Sequence, residues 1–271
     1  MSNKLDIPVY IISLNNSSYF NFNDYFNNVT YVKAIDTRKD TPLTYLKNNI
    51  ITIRVYNDLI DGRKDHFAFP GMGAIGLYLT YRKIINDNIN INKNILICEE
   101  DCLIDNIPEF KRKVKILNNT DFDCAIFGSL KYKHKKLYNN NNNNLNLLNL
   151  NDYEKDFYKC NNIFLTTQSI IWSPNGIKKM KNKINKIISV QLDAFFSYEC
   201  LYNNLNLLIE KKNTTSQKFH LSTLDNGKPC KLCNVNPKFN YNNIYLNCIY
   251  TFIVIFIIVL ILLLIKCKSK S

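Results

Sequence analysis

Short apolar runs recur along the first 200 residues and are separated by segments with a helical pattern. Five of these runs predict strands, because each is short, bounded by polar residues and rich in Ile, Val, Leu or Phe. They are residues 9–14, 30–35, 95–98, 124–127 and 168–172. The run at 95–98 is apolar at every position, which is typical of a strand covered on both faces of a parallel sheet.

Helical spacing of apolar residues fills the intervals between these strands. Residues 73–88 and 108–117 carry apolar side chains at three- and four-residue intervals, which predicts two amphipathic helices. Ser173 followed by Pro174 predicts the start of another helix, because Ser is a favoured N-cap and Pro is tolerated in the first turn. The alternation of strands and helices predicts one α/β domain over residues 1–225 with a mainly parallel sheet.

The segment 244–266 predicts a transmembrane anchor. Residues 244–265 carry no charge, and about 20 apolar residues span a bilayer as a helix. We interpret residues 226–243, which contain Gly, Pro and Asn, as a linker, and residues 267–271 as a short basic tail. Because the first residues lack the features of a signal peptide, we expect a tail-anchored, single-pass membrane protein whose domain lies in the cytosol.

Residues 139–151 form an Asn-rich insert that begins with a run of Asn and continues as alternating Asn and Leu. Such a low-complexity segment predicts an exposed loop whose length changes at small entropic cost. The excess of Asn, Ile, Lys and Tyr across the chain is typical of an AT-rich genome, such as that of a large DNA virus or a protist.

The formal net charge of +13 raises the question of a nucleic-acid partner. Lysine is scattered through the helical segments without a basic stripe of interleaved aromatic residues, so we expect no nucleic-acid binding. A basic surface that faces anionic lipid or an anionic nucleotide fits the pattern better. Among the nine cysteines, Cys98, Cys102 and Cys124 lie in or beside apolar runs and predict buried thiols, whereas Cys230 and Cys233 form a lone CxxC, a weak zinc signal.

Three consecutive acids, Glu99, Glu100 and Asp101, follow directly after the apolar run 95–98. In open α/β sheets, ligands bind in the crevice beyond the carboxyl ends of the strands, so these acids are expected at a binding crevice. Adjacent carboxylates repel one another, and a hard divalent cation that shares them with substrate phosphates relieves the repulsion. The cluster therefore predicts a Mn²⁺ or Mg²⁺ site at Glu99 and Asp101. The alternative is an acidic turn without a metal.

The chain also contains an Asp-x-Asp triplet, Asp121-Phe122-Asp123, which precedes the predicted strand at 124–127. Residues before a strand lie at the opposite end of the sheet from the expected crevice. We therefore interpret this triplet as a solvated turn.

The order of several short motifs resembles glycosyltransferase family 25, which includes lipooligosaccharide and procollagen galactosyltransferase-like proteins. The matching blocks cover residues 7–200 in family order. They are VYIISL at 9–14, Ala34-Ile35-Asp36, the helix start at 73–82, ILICEED at 95–101, Phe127-Gly128-Ser129, the strand and helix at 168–180, and Val190 to Asp193.

The resemblance implies a GT-A-like fold that moves a sugar from a nucleotide sugar, such as a UDP-sugar, to a hydroxyl acceptor on protein or glycan. Carried over by position, it implies that Asp36 and Glu100 bind the donor and that Glu99 and Asp101 bind Mn²⁺ or Mg²⁺. His220 is a further candidate metal ligand. Asp193 would lie near the acceptor as the catalytic base; alternatively it is the N-cap of the following helix.

Other positions depart from the family pattern. Ala74 stands where the family carries Glu, Thr80 and Tyr81 stand where it carries a Ser-His pair, and Asn15 stands in place of the Asp that follows the first strand. These departures leave a second hypothesis open, in which the chain is a catalytically inactive GT-A-like domain that serves as a membrane-anchored interaction or virion protein.

Overall fold

The computed structural model of the chain describes the backbone of residues 151–153 and all atoms of residues 4–62, 68–129, 156–160 and 166–218. The chain divides into two units, Met1–Cys233 and Asn234–Ser271, and every described residue belongs to the first.

Several sequence predictions fall outside the described residues. These are the anchor 244–266, the linker 226–243, the basic tail 267–271, His220, and the Asn-rich insert up to residue 150. Within the part of the chain that the structure describes, no helix is long and apolar enough to cross a bilayer.

Ten strands and six helices follow one another along the described chain. The strands are β1 (Val9–Ser13), β2 (Val29–Lys33), β3 (Ile95–Glu99), β4 (Cys102–Ile104), β5 (Cys124–Ile126), β6 (Asn151–Tyr153), β7 (Phe157–Cys160), β8 (Ser169–Trp172), β9 (Leu207–Glu210) and β10 (Thr215–Gln217). The helices are α1 (Pro42–Lys47), α2 (Ile53–Asp61), α3 (Met72–Asp87), α4 (Ile107–Leu117), α5 (Pro174–Ile184) and α6 (Leu192–Leu201).

Eight of these strands form one sheet in the order β2-β1-β3-β8-β5-β9-β7-β6, and β10 pairs with β4 in a separate two-stranded sheet. The pairs β1–β2, β1–β3 and β5–β9 are parallel, whereas β8 is antiparallel to both of its neighbours, β3 and β5. Strand β7 is antiparallel to β9 and β6. The α/β class is confirmed, and the sheet is mixed rather than mainly parallel.

Helices cover both faces of the large sheet. One hydrophobic core packs α3, α5 and α6 against the sheet through residues such as Ile75, Ile177 and Phe196. The core on the opposite face includes Phe110 and Val114 of α4. Because both faces are buried, β3, β5, β8 and β9 are built from almost uninterrupted apolar residues, each nearly excluded from solvent.

The predicted strands and helices lie within two residues of the observed ones. Ser173 caps α5 as expected, since its Oγ accepts a hydrogen bond from the Gly176 N–H at 3.0 Å. The three cysteines predicted as buried thiols, Cys98, Cys102 and Cys124, are buried and free of disulfides.

Helix α3 lies unusually close to the segment that follows β2. A Cβ on Gly76 would stand 2.1 Å from the carbonyl oxygen of Ile35, closer than non-bonded atoms approach. The Thr80 hydroxyl accepts a hydrogen bond from the Ile35 N–H at 2.9 Å, and the Thr37 hydroxyl donates one to the Met72 carbonyl at 2.5 Å. The N-terminal half of α3 thus fixes the position of residues 35–37.

A buried ion pair joins α4 to the end of β9. Lys113 Nζ lies 3.0 Å from Glu210 Oε2, and both side chains are almost completely buried. The other Glu210 oxygen accepts hydrogen bonds from the backbone N–H groups of Gly128 and Thr214 at 2.8 and 2.9 Å. The Thr214 hydroxyl donates to Glu210 Oε2 at 2.9 Å. These donors compensate for the water that both Glu210 oxygens lose on burial.

We predict that Gly76→Ala lowers the free energy of unfolding by about 2–3 kcal/mol, because the new methyl meets backbone that cannot move without displacing residues 35–37. Urea unfolding monitored by circular dichroism measures the change. Lys83→Ala, on the exposed face of the same helix, is the control and should change stability by less than about 0.5 kcal/mol. Equal stability of Gly76→Ala and wild type would contradict the close approach.

We predict that Lys113→Met lowers the free energy of unfolding by about 3–5 kcal/mol, because it leaves the Glu210 carboxylate buried without its cation. The double variant Lys113→Met/Glu210→Gln should lose less than the sum of the single variants, with a coupling of about 1–3 kcal/mol. Lys93→Met breaks an exposed pair with Asp6 and should cost less than about 1 kcal/mol. Additive losses in the double variant would show that the two buried side chains do not interact.

Candidate functional site

The strand order reverses at β1. The chain leaves β1 to form β2 on one side and returns through β3 on the other, so the carboxyl ends of β1 and β3 flank a crevice. Open α/β sheets bind ligands at such a point. A pocket lies here, and its lining comes from five parts of the chain. These are the end of β1 (Ile12–Leu14), the segment after β2 (Ala34–Asp36 and Arg38), α3 (Gly73 and Leu77), the acidic turn (Glu99–Asp101), and Gln217 of β10.

Each acid of the turn is held by a different element. Glu99, the last residue of β3, accepts a hydrogen bond from the Thr167 hydroxyl at 3.0 Å. Glu100 Oε2 accepts one from the Ser13 hydroxyl at 2.7 Å. The Asp101 carboxylate accepts one from the Gln217 side-chain amide at 2.7 Å.

Asp36 lies in the same pocket as these three acids. The structure therefore places four of the six candidate site residues in one pocket.

The pKa of Glu99 is raised to about 8. Burial is the largest cause, followed by the negative charge of Asp101, with smaller contributions from Asp193 and Glu100; the hydrogen bond from Thr167 acts in the opposite direction. The Glu99 carboxyl thus has a neutral hydroxyl as its hydrogen-bond donor and negatively charged groups as its neighbours, so its ionised form is disfavoured. A cation placed between Glu99 and Asp101 would restore its ionised form.

Arg38 brings positive charge to the pocket. Its Nε and Nη2 donate to the two oxygens of Asp36 at 2.7 and 2.6 Å. These hydrogen bonds hold the pKa of Asp36 at about 2. The charge of Glu100 also contributes to raising the pKa of Arg38. Both members of the pair remain about one-third exposed, so solvent screens their attraction and a ligand can compete for the guanidinium.

Asp193 is not an N-cap, which corrects one of the two interpretations from the sequence. Gln191 is the N-cap of α6, and Asp193 lies in its first turn. Its carboxylate accepts a hydrogen bond from the Ala194 N–H at 2.7 Å and another from the Thr166 N–H. Burial outweighs these bonds and raises the pKa of Asp193, whose charge also acts on Glu99.

Thr166, which donates to Asp193, has a left-handed backbone conformation with φ of 87°. A β-branched residue pays a steric cost there, of order 1–3 kcal/mol. The next residue, Thr167, holds Glu99. The strained residue, Thr166, therefore binds Asp193 and is joined directly to Thr167, which binds Glu99 of the acidic turn.

The Asp-x-Asp triplet at 121–123 is not a solvated turn throughout, which corrects the interpretation from the sequence. Asp121 is exposed, but Asp123 is buried and accepts hydrogen bonds from Lys179 Nζ at 2.8 Å and from the Asn206 N–H at 2.7 Å. Its carboxylate thereby connects the amino end of β5 to α5 and to the turn before β9. The role is structural, and the triplet lies before β5 rather than at the crevice.

Four polar residues of the pocket and its rim were missed in the sequence: Ser13, Arg38, Thr167 and Gln217. Ser13 carried a signal, because it ends β1 at the edge where the crevice was expected. Arg38 carried one as well, two residues after the candidate Asp36. Gln217 carried none, since its position depends on the pairing of β10 with β4 across more than 100 residues.

The side chains present fit a hard divalent cation. Among the residues that the structure describes, no group of three or more His, Cys, Asp or Glu side chains is arranged to hold a metal. Mg²⁺ and Mn²⁺, however, are often held by one or two carboxylates together with substrate phosphates and water. Glu99 and Asp101 supply two such carboxylates, and the proton that burial leaves on Glu99 is the one a cation would displace.

No protein-family model matches the chain, and no curated protein matches it in sequence.

We predict that Glu99→Gln stabilises the protein more at pH 8 than at pH 5 when a chelator is present. Folding raises the pKa of Glu99 from its usual 4.5 to about 8, so the folded state binds more protons than the unfolded state between these values. The contribution of Glu99 to the wild-type free energy of unfolding is therefore largest at low pH and is lost as the pH rises towards 8. Gln does not titrate, so the difference in free energy of unfolding should grow by at least about 1 kcal/mol.

Urea titrations across this pH range measure the difference. Glu109→Gln is the control, because Arg112 lowers the pKa of Glu109 and that group stays ionised over the same range. A difference between Glu99→Gln and wild type that does not change with pH would show that Glu99 titrates normally.

Proposed function

We propose that the pocket binds a nucleotide sugar, most simply a UDP-sugar, and transfers the sugar to a hydroxyl acceptor with the help of Mn²⁺ or Mg²⁺. The proposal depends chiefly on one observation: three consecutive acids project from the end of β3 into a crevice at the strand-order reversal. The motif order that resembles glycosyltransferase family 25 supports the reaction type. The segment 244–266, uncharged up to residue 265, would attach the domain to a membrane from the cytosolic side.

A diphosphate fits the charges of the pocket. The cation held by Glu99 and Asp101 would neutralise charge on the departing diphosphate. Arg38 lies in the same pocket and presents a planar guanidinium that binds phosphate oxygens in pairs. Gly73, in the first turn of α3, brings the positive end of a 16-residue helix to the pocket.

The remaining acids have distinct tasks in this proposal. Arg38 binds Asp36, and Ser13 binds Glu100. Both acids lie at the wall formed by β1 and the segment after β2, where they would position the donor. Asp193 would take the proton of the acceptor hydroxyl. Burial raises its pKa, and a carboxylate with a raised pKa is a stronger base than an exposed one.

The alternative is a catalytically inactive domain of the same fold that serves in interaction. It is favoured by the positions that depart from the family pattern, since Ala74, Thr80 and Tyr81 all lie buried in α3. The Tyr81 hydroxyl accepts a hydrogen bond from the Trp172 indole at 2.7 Å, and Thr80 holds the backbone of Ile35. At these positions the side chains stabilise the core and take no part in the pocket.

Binding of UDP to the purified full chain, measured by calorimetry with Mn²⁺ and with a chelator, tests the proposal. We expect Mn²⁺ to tighten UDP binding by at least about tenfold, about 1.4 kcal/mol. Asp101→Asn should lose this metal dependence, because it removes one of the two carboxylates. Asp105→Asn, which makes the same chemical change beyond β4, should retain it, since Asp105 is exposed and contacts Ser216.

Three outcomes separate the hypotheses. UDP binding that is equally tight with a chelator would show that the metal assignment is wrong. Metal-dependent binding without hydrolysis of any UDP-sugar in a donor screen, or no UDP binding at all, would favour the inactive domain. Metal-dependent hydrolysis that Asp193→Asn abolishes, while UDP binding persists, would support the assigned roles.

A further inference from the structure

The exposed side of α5 is basic and carries no compensating acid. Residues 174–190 contain five lysines and no Asp or Glu. Lys179 and Lys183 form ion pairs with Asp123 and Glu199.

The other three lysines, Lys178, Lys181 and Lys186, are exposed, and within the described part of the chain none of them takes part in a salt bridge. Lys178 and Lys181 are three residues apart and share one face of the helix. Lys186 follows just beyond the helix end.

Two isoleucines are exposed beside these lysines. The backbones of residues 50–52 and Ile188 are joined by hydrogen bonds, from the Ile188 N–H to the Ile50 carbonyl at 2.9 Å and from the Thr52 N–H to the Ile188 carbonyl at 3.0 Å. This pairing brings the start of α2 next to the end of α5. Ile187 is 50% exposed and Ile53 is 60% exposed, although Ile51 and Ile188 between them are buried.

We propose that this surface, the lysine–isoleucine patch (Lys178, Lys181, Lys186, Ile187 and Ile53), docks on an anionic lipid bilayer. Anionic headgroups complement the unpaired lysines, at roughly 1 kcal/mol, or about fivefold in affinity, per lysine near the surface. The aliphatic side chains would enter the boundary between headgroups and acyl chains. A single-stranded nucleic acid would instead call for aromatic platforms among the cations, and the patch offers isoleucine.

The patch is separate from the pocket, and the proposal is independent of the proposed reaction. Arg82 of α3 donates a hydrogen bond to the Lys186 carbonyl at 2.8 Å, which anchors the segment that carries Lys186 and Ile187. The surface is therefore held in place by the folded core of α3 and α5.

Quenching of tryptophan fluorescence by brominated lipid tests the proposal on the full chain. The chain's single Trp172 is fully buried and supplies a constant background. Ile187→Trp places a second indole in the patch. We expect its emission to shift to shorter wavelength and to be quenched by brominated phosphatidylcholine vesicles that contain phosphatidylserine, and to change little with brominated phosphatidylcholine alone. Lys115→Trp, on α4 at the opposite face of the sheet, should not be quenched.

Two triple variants in the Ile187→Trp background separate local charge from net charge. Because the full chain is expected to carry its own anchor, docking of the patch is read from the fraction of indole quenched at saturating vesicles. Lys178→Gln/Lys181→Gln/Lys186→Gln should lower the ratio of quenched to unquenched indole by about 100-fold, at about fivefold per lysine. Lys33→Gln/Lys115→Gln/Lys159→Gln removes the same charge from exposed positions elsewhere and should leave quenching within about threefold of the parent. Near-ultraviolet circular dichroism of Trp172 confirms that each variant is folded.

The contrary results are equally specific. Equal quenching on neutral vesicles, equal loss in both triple variants, or equal quenching of an indole at position 115 would each overturn docking through the patch. Binding of single-stranded RNA that depends on Lys178, Lys181 and Lys186, without quenching by anionic vesicles, would assign the patch to nucleic acid instead.

Discussion

The buried ion pair between Lys113 and Glu210 is the contact on which the candidate site depends. Glu210 ends β9, and its carboxylate collects the Lys113 ammonium and the N–H groups of Gly128 and Thr214. These bonds fix the turn that leads from the large sheet into β10. Strand β10 then pairs with β4 and carries Gln217 to the Asp101 carboxylate. A charge buried in the core thus positions Gln217, which contacts Asp101 from more than 100 residues away in sequence.

Glu210 and Glu99 are both carboxylates at the end of a strand, but they differ in how their negative charge is compensated. Glu210 receives a cation and three neutral donors, so its charge is compensated within the protein. Glu99 receives one hydroxyl, and its pKa rises because burial disfavours its charge and because Asp101 and Asp193 add negative charge nearby. The strained residue Thr166 is adjacent to Thr167, which binds Glu99. A negative charge that the protein does not fully compensate, next to a strained backbone, is characteristic of a binding site. A bound ligand can supply the missing positive charge.

The strands and helices were predictable wherever burial imposed a pattern. Uninterrupted apolar runs located β1, β3, β5 and β8, and the position of the three acids directly after the apolar run 95–98 located the pocket. The direction of β8 was not predictable, because a run such as Ser169–Trp172 is equally apolar in a parallel or antiparallel strand. Asp123 was misjudged because the Lys179 that neutralises it lies 56 residues away. Gln217 was missed for the same reason, since long-range contacts leave no local mark.

Helix α3 connects the pocket to the lysine–isoleucine patch. Its first turn lines the pocket at Gly73, and Arg82 binds the carbonyl of Lys186 beside the exposed Ile187. These two positions are nine residues apart, which corresponds to a rise of about 14 Å along the helix. Because Gly76 and Thr80 lock the same helix to the segment that bears Asp36 and Arg38, the pocket and the patch belong to one rigid unit. Docking of the patch on a bilayer would therefore also fix the orientation of the pocket relative to the lipid surface.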